Sequence, residues 1–418
     1  MSSPPLYSSV PDSLRPPEYT TFPQGLEQTL SKSALTTLPE PRDARLTIGA
    51  KFGSVTFTSQ PRGTTMPTYG RGDVIDGCMN VRQVRNVNVF EVRVKVEGCV
   101  RLSSQSSTLE EYPFLSMEHA LWTATAPTDT VPANHPFSIP LPATVDDDGA
   151  VRPLPPTFRS EFDGVEVSVE YICTVIALQS RTLPGFTKEH RITTPLRYMP
   201  RSRPPRPSIE SDHDFLSTVK IAPDEWGAVG FSLKARHPSG DLRCEFAFPS
   251  SRIYAALQKV PVHMQILGHA AYLQDFLSSP RSYPEDSSKI SRTTAPVAAA
   301  KNPALSAPPA SSPSNRMSVY VHLERRVAMV ALSGSLCHLQ RLAEAHLESP
   351  QPNIEDGWVA WDGHLNIGEC DTTSFQFGPL TVSDQLVFAV RGGIGSDFRA
   401  KDLAIPVRIV TDPFPPAT

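Results

Sequence analysis

Apolar and polar residues alternate along most of this chain. The stretch Glu91-Val92-Arg93-Val94-Lys95-Val96-Glu97 does so without a break over seven residues, the period-2 signature of a strand with one buried and one solvated face. Leu46 and Ile48, then Val55 and Phe57, open shorter runs of the same kind. Val165-Glu166-Val167-Ser168-Val169-Glu170-Tyr171 alternates in turn and leads into the apolar stretch Ile172 to Leu178, which reads as a long strand entering a covered interior. Turn signals at Gly70-Arg71-Gly72-Asp73, Asp148-Gly149 and Asp163-Gly164 separate these runs. Short strands with regular turns predict an antiparallel β-sandwich over 44–199.

A second set of strand-like runs begins at Val219. It includes Val229 to Ala235, Cys244 to Phe248, Val260 to Leu267, Val319 to Leu323, Phe375 to Phe377, Leu386 to Val390 and Ile405 to Val410, and predicts a second sandwich over 216–412. Between the two, residues 200–215 open with Pro200-Arg201-Ser202-Arg203-Pro204-Pro205-Arg206-Pro207. Prolines cannot donate to a ladder, so this segment reads as an interdomain connector. Residues 278–316 interrupt the second sandwich: 24 of the 39 are Ser, Pro or Ala, a composition that predicts a disordered excursion. Leu336, Leu339, Leu342 and Leu347, bounded by Gly334 and Pro350, have the one helical spacing, and a short helix is expected there. Residues 1–43, with eight prolines and no apolar period, read as a disordered arm, and 413–418 as a tail. The expected class is all-β, two sandwich lobes with less than about 10% helix.

Composition narrows the chemistry. Proline, at 43 of 418 residues, is about twice its usual frequency, consistent with folded lobes joined to proline-rich segments. A net charge of −4 provides no general phosphate-neutralising surface, so nucleic acid is not an expected partner. The six cysteines are scattered without a CxxC pair, as buried thiols in a reducing compartment are, and neither a zinc site nor any other metal or cofactor is expected. With no apolar leader or span, the sequence reads as cytoplasmic. It lacks a GxSxG elbow, a phosphate-binding GxxxxGK[ST] loop and an HExxH pair, so no catalytic residues are assigned and no enzyme is expected. Gly392-Gly393-Ile394-Gly395 reads as a hairpin, Cys337-His338 as a core thiol beside a surface imidazole, and Asp146-Asp147-Asp148 as a solvated turn. Arg71-Gly72-Asp73 matches an integrin-binding tripeptide, which a cytoplasmic protein has no occasion to use.

The informative motif lies at the N-terminus, where Pro4-Pro5-Leu6-Tyr7 and Pro16-Pro17-Glu18-Tyr19 both read Pro-Pro-x-Tyr. WW domains take this sequence, because paired prolines preform a polyproline II helix for an aromatic groove and the tyrosine adds a ring and a hydroxyl. Pro4, Pro5, Tyr7, Pro16, Pro17 and Tyr19 are therefore the expected WW-binding residues. Leu154-Pro155-Pro156-Thr157-Phe158 is a near match, but its place between strands predicts a structural role. Arg201-x-x-Pro204-x-x-Pro207 fits an SH3-ligand pattern and is read first as connector. Arg82, Arg85, Arg93, Lys95 and Arg101 make the first lobe locally basic; they read as a solvated strand face, with acidic tails as the alternative ligand.

Taken together, the sequence resembles the α-arrestins, the arrestin-domain-containing adaptors found in number in fungi. Tyr69-Gly70-Arg71-Gly72-Asp73-Val74-Ile75-Asp76-Gly77 is similar to that family's strand-turn motif. Phe137-Ser138-Ile139-Pro140-Leu141-Pro142, Leu154 to Phe158 and Val169-Glu170-Tyr171-Ile172-Cys173 follow in the family's order. Trp361-Asp362-Gly363-His364-Leu365 and Ile405 to Thr411 are less specific counterparts in the second lobe. The resemblance implies two arrestin-like β-sandwich lobes and a non-enzymatic adaptor that brings a WW-domain HECT-type ubiquitin ligase to the cytosolic tails of membrane transporters or receptors. It implies ubiquitylation, endocytosis or sorting of that cargo, with peripheral association at the plasma membrane or endosomes through the cargo. In many relatives the PPxY motifs follow the lobes, whereas here they precede them. The alternatives are a retromer-like cargo-sorting subunit and a structural scaffold without ligase recruitment.

Overall fold

The computed structural model describes residues 28–30, 42–82, 89–104, 107–126, 129–180, 187–209, 215–235, 240–277, 317–331, 334–391 and 398–415. In chain order the strands are β1 (Gln28–Leu30), β2 (Ala44–Ala50), β3 (Gly53–Gln60), β4 (Thr68–Tyr69), β5 (Val74–Val81), β6 (Val89–Ser104), β7 (Ser107–Thr123) and β8 (Asn134–Pro140). There follow β9 (Thr144–Asp147), β10 (Ala150–Pro153), β11 (Phe158–Phe162), β12 (Val165–Ser180), β13 (Thr187–Tyr198), β14 (Arg201–Arg203), β15 (Trp226–Leu233), β16 (Leu242–Pro249), β17 (Ile253–Ala255) and β18 (Lys259–Leu267). The last are β19 (Ser318–Ala331), β20 (Gly334–Leu347), β21 (Gln351–Asn353), β22 (Trp358–Asn366), β23 (Phe375–Phe377), β24 (Leu380–Arg391) and β25 (Lys401–Val410). The described α-helices, α1 (Phe215–Ile221) and α2 (Ala270–Leu273), are short. The all-β class expected from the alternation holds. Residues 28–203 with Phe375–Leu380 form one compact unit, and residues 204–374 with 381–415 form another.

In the first unit one sheet runs β4-β13-β12-β6-β7, with β11 on β12, and a second runs β2-β3-β5-β8. β6 and β12 are the longest matched pair, antiparallel from Val165 opposite Ser104 to Gln179 opposite Val89. The alternation decides which side is inside: Val92, Val94 and Val96 are fully buried, while Arg93, Lys95 and Glu97 between them face outward. Burying each such valine stabilises by roughly 1.5–3 kcal/mol relative to exposure. Phe57, Ile75, Met79, Phe137 and Ile139 form the buried side of the other sheet. Gly77 permits that packing, because a Cβ there would lie 2.5 Å from the Phe137 ring and 2.6 Å from the Thr56 carbonyl oxygen. Leu154, Pro155, Pro156 and Phe158 are buried, and the Pro155 carbonyl accepts the Tyr171 hydroxyl at 2.6 Å, so this Pro-Pro-x-Phe segment is structural as expected. β23 also belongs here: Phe377 meets Phe114 edge-on at 4.9 Å and Phe375 meets Phe158 at 5.7 Å.

The second unit is one continuous sheet, β15-β16-β18-β22-β20-β19-β24-β25-β17, with β21 on β22. It folds over on itself, so Phe246, Met264, Val321, Trp361, Phe388 and Val407 from six strands share a single apolar cluster. Also buried in this unit, Arg325 and Asp384 form a bidentate pair, Nε to Oδ1 at 2.7 Å and Nη2 to Oδ2 at 3.0 Å. Arg325 also donates to the Thr372 carbonyl at 2.9 Å, and the Ser374 hydroxyl donates to Asp384 at 2.8 Å. Burial by itself would push the Arg325 guanidinium down, but the Asp384 carboxylate outweighs it and holds the group above its ordinary value.

Four local expectations need correction. The segment expected to be a helix, Leu336 to Leu347, is strand β20, because β19 offers it a ladder from Ala331 opposite Gly334 to His322 opposite Glu344. Val219, read as the start of a strand, lies in α1. The arm is not wholly without structure, since Gln28–Leu30 forms a strand. Its partner is Arg201–Arg203, so the connector supplies a ladder after all, at its non-proline residues. Residues 1–27 and 31–41 of the arm and the 278–316 excursion lie outside the described residues.

Arg325→Ala or Asp384→Ala leaves an uncompensated buried charge and is expected to cost about 3–5 kcal/mol in urea unfolding, whereas an apolar double replacement of similar volume costs far less. Burial pushes the imidazoles of His135, His190 and His364 below their ordinary value. The unfolded chain therefore binds more protons, so the stability these groups contribute is present above about pH 6.5 and is lost as pH falls through their folded values. Urea midpoints measured between about pH 7.5 and 5.5 should fall with acidification, and the slope should be smaller in His135→Phe.

Candidate functional site

The six WW-binding candidates, Pro4, Pro5, Tyr7, Pro16, Pro17 and Tyr19, lie outside the described residues, as do Arg85 and Gly392 to Gly395. What the structure does describe is where their arm is held. Gln28 pairs with Arg203, Thr29 with Ser202 and Leu30 with Arg201 in an antiparallel ladder. Leu30 is buried, Gln28 and Thr29 are exposed, and Arg203 Nε donates to Gln28 Oε1 at 2.9 Å. Eight residues, 20–27, separate Tyr19 from this fixed point, a span of at most about 30 Å when extended.

The charged face of the first unit is internally compensated. Arg93 pairs with Glu118 at 2.9 Å and with Glu91 at 3.7 Å, and Lys95 pairs with Glu97 at 2.7 Å. Arg101 bridges Glu170 at 2.6 Å and Glu111 at 2.9 Å, and Arg191 meets Glu189 at 2.8 Å. Several of these side chains rim a groove of about 170 Å³ whose floor is Thr174 and Ile176. An acidic ligand entering it would have to displace carboxylates already in place. The solvated-face reading therefore fits Arg93, Lys95 and Arg101, and Arg82 is exposed.

The acidic residues singled out in the sequence have structural work. Asp73 of the Arg-Gly-Asp turn is buried, accepts the Gly70 amide at 2.8 Å and is paired with Arg42 at 2.5 Å. Asp146 accepts the Gly149 amide at 2.7 Å and closes its turn. Asp147, expected to be solvated, is buried instead. It accepts the Tyr112 hydroxyl at 2.9 Å and the Gly378 amide at 3.1 Å, and lies 2.8 Å from Arg152 Nε. The Tyr112 hydroxyl is pushed up to about 12 by burial and by that carboxylate. Cys337 and His338 are neighbours on a strand and point to opposite faces. Among the described residues no three His, Cys, Asp or Glu side chains are placed to hold a metal ion, and no helix is long and apolar enough to cross a membrane.

One polar pair escaped sequence reasoning. His263 Nδ1 donates to Asp362 Oδ1 at 2.7 Å, with Phe215 of α1 stacked on the imidazole at 4.0 Å and Trp226 edge-on to Phe215 at 4.8 Å. A histidine and an aspartate in hydrogen-bond contact resemble part of a catalytic relay, and here the Phe215 ring, 10° from parallel, covers one face of the imidazole. The pair joins β18 to β22, and the stacked Phe215 ring is a contact of α1 with β18. Nothing local signalled it, since 99 residues separate the two partners. No family model matches the chain, and no curated protein matches it.

Proposed function

We propose that this protein is a non-enzymatic adaptor that recruits a WW-domain HECT-type ubiquitin ligase to the cytosolic tails of membrane-protein cargo. The observation that carries the reading is the pair of Pro-Pro-x-Tyr motifs, Pro4 to Tyr7 and Pro16 to Tyr19, within nineteen residues. Each supplies the preformed polyproline turn and aromatic anchor that a WW groove takes. Ser8 to Arg15 separates them by eight residues, on the order of 15–20 Å for a flexible coil, a reach that suits neighbouring WW domains of one ligase. Two features of the folded part agree with this role. The tether of at most about 30 Å keeps a captured ligase close to the folded unit. The broad sheet faces and loops give a surface for reading a cargo tail without a deep pocket. Cargo contact brings the protein to the plasma membrane or endosomes from the cytoplasm.

Titration of a tandem-WW fragment against the full chain tests the reading. Tyr7→Ala or Tyr19→Ala alone should cost about 1–3 kcal/mol at that site, partly masked by the other motif. The double variant should lose ligase binding and cargo ubiquitylation together. Equal affinity across all four proteins overturns recruitment through the arm.

A further inference from the structure

The motif Arg201-x-x-Pro204-x-x-Pro207 lies in the connector, yet its sequence meets the requirements of a polyproline II ligand for an SH3 domain. The two prolines, three residues apart, fall on one edge of a three-residue-per-turn helix, and Arg201 precedes them at the spacing that reaches an acidic pocket. Arg203 and Arg206 add positive charge on either side of Pro204. The structure holds this segment in a different state. Arg201, Ser202 and Arg203 are a β-strand laddered to Leu30, Thr29 and Gln28. Ser202 is buried, Pro204 is buried, and Arg203 is engaged through Nε with Gln28. A strand in a ladder cannot at the same time lie in an aromatic groove, because the groove needs the proline edge and the arginine side chain exposed.

We infer that Arg201–Pro207 is a masked ligand for an SH3-type domain and that strand β1 of the arm is the latch that masks it. The latch is three residue pairs long and has one buried side chain, Leu30, so it is a small contact that competition or modification of the arm can open. The open segment is then an arginine-rich proline ligand of the kind an aromatic groove with an acidic flank takes up. The inference stands independently of ligase recruitment, since it uses residues 28–30 and 201–207 and neither Pro-Pro-x-Tyr motif.

The test titrates an SH3 domain that accepts R-x-x-P-x-x-P ligands against a synthetic peptide of residues 199–209, the full chain, Leu30→Asp, and Leu30→Asp with Pro207→Ala. Hydrogen exchange at residues 201–203 reports whether the latch has opened; if Leu30→Asp leaves it closed, deletion of residues 2–30 takes its place. The peptide should bind, the full chain should bind at least about tenfold more weakly, and opening the latch should restore affinity to within about threefold of the peptide. Pro207→Ala should then remove it. Tandem-WW affinity should be unchanged in Leu30→Asp, which retains Tyr7 and Tyr19, so failure here is distinguishable from failure of ligase recruitment. A peptide that does not bind, a full chain that binds as tightly as the peptide, or opened residues 201–203 without gain in affinity each overturns the inference.

Discussion

The antiparallel ladder between β6 and β12 is the constraint from which the first unit follows. Each strand is sixteen residues long, and their pairing commits every alternate side chain to one face of the sheet. A slip of one residue would expose Val92, Val94 and Val96 and bury Arg93, Lys95 and Glu97, so the register is fixed by the free energy of burial rather than by the hydrogen bonds themselves. β7 and β13 then add on either side, and the charged face becomes a lattice of neighbouring opposite charges. The second unit meets the same constraint differently, by folding a single sheet over until strands distant in its order enclose one apolar cluster.

Three buried aspartates mark where chain segments are tied into this framework. Asp73 takes Arg42 at the end of the arm, Asp147 takes Tyr112, Arg152 and the Gly378 amide, and Asp384 takes Arg325 and Ser374. Each carboxylate is desolvated and each is answered by a cation or by several donors, as the cost of burying an unpaired charge requires. Removing one partner is costly for that reason, although such a pair contributes little beyond what an apolar contact of the same size would. These ties account for the acidic residues that looked most like chemistry in the sequence.

The Pro-Pro-x-Tyr motifs lie outside the described residues, whereas Arg201–Arg203 is held in the ladder with Gln28–Leu30. Proline-type ligands are read along a few consecutive residues by a groove on the partner, so they need no folded scaffold of their own. A scaffold contributes position instead. The anchoring of Gln28–Leu30 at Arg201–Arg203 is the described contact through which the folded unit limits where the arm begins.

The sequence alone determined the all-β class, the inward and outward faces of the long strands, and the Pro-Pro-x-Tyr motifs, because periodicity and polyproline recognition are both encoded in neighbouring residues. The structural role of Leu154 to Phe158 was legible for the same reason. Only the tertiary structure decided that Leu336 to Leu347 extends as a strand, since its leucine spacing suits a helix until β19 supplies a ladder. The same holds for the Gln28 to Arg203 contact across 175 residues, the His263 to Asp362 bond across 99, and the burial of Asp147 beneath Gly378 across 231. In each of these the deciding partner is remote in the chain, and a hydrogen bond or a buried charge has no local pattern from which its partner can be read.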